Sequence, residues 1–212
     1  MTPSLMPAAA VASLLCLACA TPVLAQSADL NNWTRAGDVL VTSASSATLT
    51  TAYSDESPLS AGSALLFNEL ETALLLQAGS LPADTFEGAG LQQGFDAAAG
   101  STVRFDWQLS TSAFNAGQAD RAFVLVDGQQ LLALGTAAAG VVSGQFSHSF
   151  ASAGSHALAI LVMDVNTTDG VSTLGVSGFS VSAVPEPGQW ALVVTGLAGL
   201  GALLRRRRQS AG

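Results

Sequence analysis

Hydrophobic and polar residues alternate in several short stretches of the middle of the chain, which is the pattern of half-buried β-strands. In Val103–Leu109 every second residue is apolar and the residues between are polar or charged. Ala122–Val126 is apolar at both parities, which predicts a central strand covered on both faces. Asp127 and Gly128 follow directly, ahead of another apolar run, and predict a tight hairpin.

Three more strands are predicted further along the chain. Phe146, His148 and Phe150 alternate with serines, and Ser155–Val165 is a long, mostly apolar segment. Leu174–Val184 closes the region, and Gly178 inside it predicts a β-bulge.

One stretch follows a helical period instead. Ser60–Gln77 carries leucine and alanine at helical spacing and ends before Gly79. Many short strands, glycine-rich turns and a single helix together predict a mainly β fold, an antiparallel β-sandwich of jelly-roll type with one short helix.

The N-terminal end predicts export. Ala8–Leu24 is uncharged and rich in small and apolar residues, and small residues precede a cleavage point between Ala25 and Gln26. Residues 1–25 are therefore predicted to be a signal peptide removed by signal peptidase. The alternatives are an uncleaved N-terminal anchor and a lipoprotein signal at Cys19.

The C-terminal segment, residues 184–212, combines three features. Pro185, Glu186 and Pro187 form an extended, exposed peptide, since two prolines flanking one residue exclude helix. Trp190–Leu204 is uncharged and would extend about 22 Å as a helix, so it predicts a short transmembrane segment with Trp190 at the outer interface. Positive charge then follows at Arg205, Arg206, Arg207 and Arg208, which predicts that this end stays in the cytoplasm and leaves residues 26–183 outside.

This order of motif, apolar helix and arginine cluster resembles the PEP-CTERM sorting signal. The resemblance implies that an exosortase, a membrane-embedded cysteine transpeptidase, recognises and cleaves near Pro185–Pro187 at the cytoplasmic membrane. It also implies a Gram-negative host that makes exopolysaccharide and biofilm, with the body delivered to the cell envelope or extracellular matrix. An ordinary C-terminal membrane anchor is the alternative.

The body also resembles a recurrent ectodomain of PEP-CTERM proteins. The likeness is carried by Asn68–Thr72, Glu87–Gln93, Gly100–Trp107, Asp120–Asp127 and Val162–Val165. It implies a β-sandwich and leaves the ligand unassigned.

Charge narrows the partners of the body. Between Gln26 and Val184 there are three arginines and fourteen acidic residues, a net charge of −11, and the chain has no lysine. Such an acidic body repels phosphate backbones, so nucleic-acid binding is not expected. Both cysteines, Cys16 and Cys19, lie in the predicted signal peptide, so the mature body is expected to have neither a thiol nor a disulfide.

Catalytic chemistry has few candidates. His148 and His156 are predicted to face each other across one hairpin as structural residues, and no nucleophilic-serine motif is present. Asp164, Asn166 and Asp169 space oxygen donors as in a calcium loop, with an ordinary Asx-rich turn as the alternative. We therefore expect neither an enzyme nor a bound metal or cofactor.

Sugar recognition would use exposed aromatic side chains. Trp107 lies on the apolar parity of its strand and is predicted to belong to the core, whereas Trp33 and Tyr53 have polar neighbours and are predicted to face solvent. The primary interpretation is a non-catalytic envelope or biofilm-matrix protein sorted at its tail. The alternative is a carbohydrate-binding module, with or without calcium, that engages exopolysaccharide.

Overall fold

The computed structural model describes residues 29–111, 119–136, 140–165, 170–182 and 194–199. Several residues named in the sequence predictions lie outside the described ranges. They are the cleavage point at Ala25 and Gln26, the sorting motif Pro185, Glu186 and Pro187, the residues Asn166, Asp169 and Trp190, and the four arginines Arg205–Arg208. The described residues between 29 and 182 belong to one compact unit, and those from 194 to 199 belong to a second.

In the second unit the described residues are 194–199, which are helical. Among all described residues, no helix has the length and apolar character that a membrane crossing requires.

The larger unit is mainly β, as predicted. Its strands are β1 Thr34–Ala36, β2 Asp38–Ser43, β3 Ser46–Thr50, β4 Leu65–Leu66, β5 Glu87–Ala97, β6 Thr102–Thr111, β7 Arg121–Val126, β8 Gln129–Thr136, β9 Gly140–Ser149, β10 Gly154–Met163 and β11 Ser172–Ser182. One short helix, α1, spans Phe67–Ala73, and a 3₁₀ turn spans Leu30–Asn32.

The strands form two antiparallel sheets. Sheet I has the order β1-β5-β10-β7-β8, with β4 also paired to β5, and sheet II has the order β2-β3-β11-β6-β9. The chain passes repeatedly from one sheet to the other, so each sheet is assembled largely from strands distant in sequence. The inner faces of both sheets enclose the main core, which makes the unit a β-sandwich.

Two central strands of sheet I are buried on both faces. In β7, Val124 and the residues two positions before and after it point into the core between the sheets, while Phe123 and Leu125 point to the outer face. In β10, Ile160 and Leu161 divide in the same way. This confirms the prediction made from the unbroken apolar run of Ala122–Val126, because a strand covered on both sides needs apolar residues at both parities.

Helix α1 covers the outer face of sheet I, and β5 is built to receive it. Leu70 and Leu74 of the helix are fully buried against that face. Under them Gly90 has no side chain, and a Cβ there would lie 2.5 Å from Leu74 Cδ1. Glycine at this position therefore allows the helix to approach the strand closely.

The predicted helix over Ser60–Gln77 is too long. Its first part is instead a loop and the two-residue strand β4, which pairs with β5. The helix ends at its C-cap Leu74, because Leu75 adopts a left-handed backbone (φ 55°). Leucine spacing alone did not separate a strand followed by a short helix from one continuous helix.

The predicted hairpin and bulge are both confirmed. Asp127 (φ 52°) and Gly128 (φ 74°) connect β7 to β8, with the two positive φ values that a tight two-residue turn requires. In β11 the register with β6 shifts between Ser177 and Ser180, where Gly178 has φ 64°. The glycine absorbs the extra residue, and Phe179 returns to the core.

Candidate functional site

A pocket of about 330 Å³ lies at the end of the sandwich where β3 ends and β5 begins. It is lined by Tyr53, Asp55, Glu56, Leu66, Phe86 and Glu87. Two aromatic side chains and three carboxyl groups thus share one depression.

Asp38 fixes the loop that carries half of these residues. Its buried carboxylate accepts the N–H groups of Leu59 (2.8 Å) and Ser60 (2.7 Å), and the hydroxyl of Thr50 also donates to it. Burial opposes ionisation of Asp38, but these hydrogen bonds outweigh it and hold its pKa below the ordinary value. The loop of residues 51–64 is therefore tied to the first position of β2.

Within this loop a local turn orients Tyr53. Its N–H donates to Glu56 Oε2 at 2.9 Å, and the Glu56 N–H donates back to the Tyr53 carbonyl at 3.0 Å. Ser57, directly after the turn, has φ 61°. The reciprocal bonds place the Tyr53 side chain at the pocket with 42% of it exposed.

The opposite wall comes from the start of β5. The Phe86 N–H donates to the carbonyl of Asp164 at 2.8 Å, and the Phe86 carbonyl accepts from Phe67 at 2.9 Å. The Asp164 N–H donates in turn to the carbonyl of Glu87 at 2.8 Å. Phe86 is held on both sides by backbone bonds, yet 43% of it remains exposed.

Glu87 is the most unusual group of the pocket. It has the same strand parity as Ala89 and Leu91 of the core, and only 7% of the residue is exposed. Burial is the larger cause, and together with the negative charges of Glu56, Asp55 and Asp120 it raises the pKa of Glu87 to about 7. Among the described residues, none donates a hydrogen bond to its carboxyl group.

The structure separates the aromatic residues singled out in the sequence. Tyr53 is exposed, as predicted, and Trp107 is half-buried against the core. The prediction for Trp33 is wrong, since only 6% of it is exposed and its ring packs edge-on to Phe179 at 4.9 Å. The polar residues on either side of Trp33 face solvent while its ring turns inward after the 3₁₀ turn.

A second depression of about 390 Å³ crosses the outer face of sheet II. Gly175 of the central strand β11 lies in its floor between Thr48 and Gln108, and Asp106 and Ser177 lie beside them. Polar side chains dominate it, and the one aromatic residue that lines it is Trp107, which belongs to the core margin. It thus lacks the exposed ring faces of the first pocket.

The two histidines do not form a cross-strand pair in one hairpin, so that prediction is wrong. His148 lies on β9 in sheet II and His156 on β10 in sheet I. Phe150 lies between them, with ring centroids 4.9 Å from His148 and 4.4 Å from His156. The strands are consecutive in sequence but belong to different sheets.

His156 forms an ion pair at the opposite end of β7 from Asp120. Its Nδ1–H donates to Asp127 Oδ2 at 2.7 Å, and its Nε2–H donates to the Ser152 carbonyl at 3.2 Å. Both partners are acceptors, so the imidazolium form is favoured: the bond to Asp127 raises the pKa of His156, against the opposing effect of burial. With both nitrogens donating, this histidine is not arranged as a general base.

Among the described residues, no group of three or more histidine, cysteine or acidic side chains is arranged to hold a metal ion. Asp164 of the predicted calcium loop is buried, and its backbone bonds position Phe86 and Glu87. Its predicted co-ligands Asn166 and Asp169 lie outside the described residues.

Sequence reasoning missed Phe86 and Glu87. For Glu87 a signal was present, because extending the alternation of β5 backward from Leu91 places a carboxyl group at a core parity. Phe86 precedes the strand, where no periodicity identifies which way a side chain points.

No protein-family model and no curated protein matches the chain. Solved structures with some likeness include a family 61 carbohydrate-binding module in complex with β-1,4-galactotriose, at 12% identity and TM-score 0.36, covering 74% of this chain and 91% of that one. Another is the N-terminal cellulose-binding domain of Cellulomonas fimi β-1,4-glucanase C, at 12% identity and TM-score 0.32, covering 66% and 90%. TM-scores this low support no inference about the function of this chain.

Proposed function

We propose that the body is a non-catalytic carbohydrate-binding β-sandwich and that its ligand occupies the pocket between Tyr53 and Phe86. The observation that carries this proposal is the pairing of two aromatic rings, each about two-fifths exposed, with carboxyl groups in one depression of about 330 Å³. Sugar rings present apolar faces and hydroxyl edges, so a site for them needs apolar side chains and a few polar groups that fix orientation.

The backbone that carries both exposed aromatic side chains is held in place by hydrogen bonds. Tyr53 is fixed by its turn with Glu56, and Phe86 by two backbone hydrogen bonds. A site whose backbone is already ordered loses less conformational entropy on binding. This preorganisation supports a binding surface over an accidental exposure.

The test is binding of soluble β-linked oligosaccharides to the purified protein, measured by titration calorimetry across neutral, N-acetylated, amino and uronic members. We expect Tyr53→Ala and Phe86→Ala each to weaken binding about tenfold, because each removes a ring face from the ligand. Leu59→Ala is the matched control, since Leu59 is an exposed apolar residue of the same loop that does not line the pocket. Equal affinity of the wild type and the three variants for the oligosaccharides would contradict the proposed site.

We propose further that the body reaches the cell envelope or matrix by export and by exosortase processing at Pro185–Pro187. The support is the sequence alone: the apolar N-terminal run, the proline motif and the closing arginine cluster. A protein delivered to a polysaccharide-rich surface is well placed to bind polysaccharide.

Glu186→Ala tests the sorting step. We expect the variant to accumulate uncleaved in the membrane fraction, because the processing enzyme loses the central charge of its recognition peptide. Intact mass spectrometry of protein from cells and medium measures this. Normal release of the variant would contradict the sorting proposal and leave the carbohydrate site untouched.

A glycoside hydrolase is the second candidate, and one observation favours it. Glu87 combines a pKa of about 7 with neighbouring carboxyl groups on Asp55 and Glu56, as a general acid with a second carboxylate would require. Release of reducing ends from a bound oligosaccharide, abolished by Glu87→Gln, would replace the non-catalytic proposal with this one.

A further inference from the structure

Glu87 lies where an ionised carboxyl group opposes folding. More than nine-tenths of the residue is buried, its side chain lines the pocket, and no described residue donates a hydrogen bond to its carboxyl group. A buried carboxyl group without a donor prefers its neutral form, so its ionisation near neutral pH opposes folding. A group that costs stability at the wall of a pocket is a candidate for ligand recognition.

Three acidic side chains lie near Glu87. Asp55 and Glu56 approach from the loop of residues 51–64, and Asp120 approaches from the start of β7, each close enough to raise its pKa by charge repulsion. Asp164, at the end of β10, bonds to the Glu87 backbone.

Positive charge near this end is already matched. Arg121, the first residue of β7, forms an ion pair in which its Nη2 lies 2.8 Å from Asp84 Oδ2, and the chain has no lysine. The pocket therefore offers negative charge and aromatic faces to whatever enters it.

We propose that the pocket selects sugars that carry an ammonium group, that is, the deacetylated amino-sugar units of a polysaccharide, through the Glu87 carboxylate and the faces of Tyr53 and Phe86. This inference rests on the proposed carbohydrate function and names its ligand class. Carboxylates and aromatic faces are the two groups that attract an ammonium ion, and a partly buried site strengthens both interactions. Uronic acid units meet like charge and are rejected.

Binding and ionisation of Glu87 are coupled in this site. An ammonium ligand stabilises the carboxylate and releases a proton from Glu87, so affinity rises as pH increases through the range near 7 where the group titrates. Salt weakens the interaction, since part of the attraction comes from the exposed carboxylates Asp55 and Glu56.

The experiment compares four probes against the purified protein by calorimetry: glucosamine oligosaccharides, their N-acetylated counterparts, cello-oligosaccharides and oligogalacturonates. We expect glucosamine oligosaccharides to bind about tenfold more tightly than the acetylated form, the factor of a charge-assisted hydrogen bond. In Glu87→Gln this preference falls to near unity. Asp106→Asn, which removes an exposed acid on the outer face of sheet II, keeps the preference and controls for general attraction to an acidic protein.

A pH series isolates the protein's contribution. N,N,N-trimethylated glucosamine oligosaccharides keep their positive charge at every pH, so any change in their affinity arises from the protein. We expect their affinity to rise about tenfold from pH 5.5 to 8 in the wild type and to stay flat in Glu87→Gln.

The outcomes separate the two proposals. Equal affinity for amino, acetylated and neutral sugars, with Tyr53→Ala weakening all of them, keeps the carbohydrate site and overturns the amino-sugar inference. An amino-sugar preference that survives Glu87→Gln also overturns the inference. Binding of none of the four probes overturns both.

Discussion

Replacing Asp38 with asparagine tests whether one buried carboxylate holds the pocket loop in place. In the wild type the two carboxylate oxygens accept the N–H groups of Leu59 and Ser60 and the hydroxyl of Thr50. Asparagine keeps one oxygen and presents an amide N–H₂ where the other oxygen accepted. At least one donor then faces a donor inside a site with no exposed surface.

The magnitude follows from these contacts. Losing one charge-assisted bond and leaving one buried donor without an acceptor costs about 3 kcal/mol in all. For a domain of this size that corresponds to a fall in melting temperature of about 6–12 °C. Because the affected bonds hold residues 51–64, we also expect weaker oligosaccharide binding at Tyr53.

Chemical denaturation followed by circular dichroism measures the free energy of unfolding, and Asp106→Asn is the matched control. Asp106 is also an aspartate that accepts one side-chain bond, from Gln145 at 2.9 Å, but it is exposed, so its substitution should change stability by less than about 0.5 kcal/mol. The folded pKa of Asp38 lies below 3.8, so its contribution is complete above that value and is lost as pH falls through the folded pKa. A deficit equal to that of the control, or one that persists undiminished in acid, would refute the reasoning.

Three further predictions follow from other parts of the fold. Gly88→Ala should destabilise the protein by about 3 kcal/mol, because the added Cβ would clash with the Val162 carbonyl and lie 2.7 Å from Met163 Sδ. Gly94→Ala in the same strand is the control and should cost little, since the nearest atom to its Cβ would be 3.9 Å away. Equal denaturation midpoints for the two variants would contradict this prediction. Asp127→Asn keeps the turn but removes the ion pair with His156. Because Asp127 is half-exposed, the variant should lose only about 0.5–1 kcal/mol of stability between roughly pH 4 and 6.5, and this loss should narrow as pH rises through the elevated pKa of His156. A stability difference that does not change with pH would exclude the ion pair as its source. Glu87→Gln should stabilise the protein by about 1–3 kcal/mol at pH 8 and should have no effect on stability below pH 4.5. The reason is that the pKa of Glu87 is raised in the folded state, so its ionisation opposes folding. Thermal melts that show destabilisation at pH 8 would contradict the burial of Glu87.

Much of the sheet structure was predictable because it depends on local alternation. Burial on both faces makes Ala122–Val126 apolar throughout, and the Asp127-Gly128 pair suits the positive φ values of its turn. The pairing of strands was not predictable, and this is why the two histidines were expected in one hairpin. Whether β9 and β10 share a sheet depends on long-range packing that neither strand encodes by itself.

The candidate site was predictable only in part, for a similar reason. Tyr53 stood out by its polar neighbours, but the same criterion failed for Trp33, whose ring is turned inward by a 3₁₀ turn and packs on Phe179. Glu87 and Phe86 join Tyr53 because Asp38 and Asp164 bring distant segments together at one end of the sandwich. Such convergence comes from tertiary hydrogen bonds and has no periodic trace in the sequence.

The most direct test of the central claim is an NMR titration of the isotopically labelled protein with glucosamine oligosaccharides. We predict that the amide shifts of Tyr53, Phe86 and Glu87 move together with one dissociation constant. The amide shifts of Thr48, Gly175 and Gln108, on the outer face of sheet II, stay unchanged. Shifts confined to that outer face, or none at saturating ligand, would contradict it.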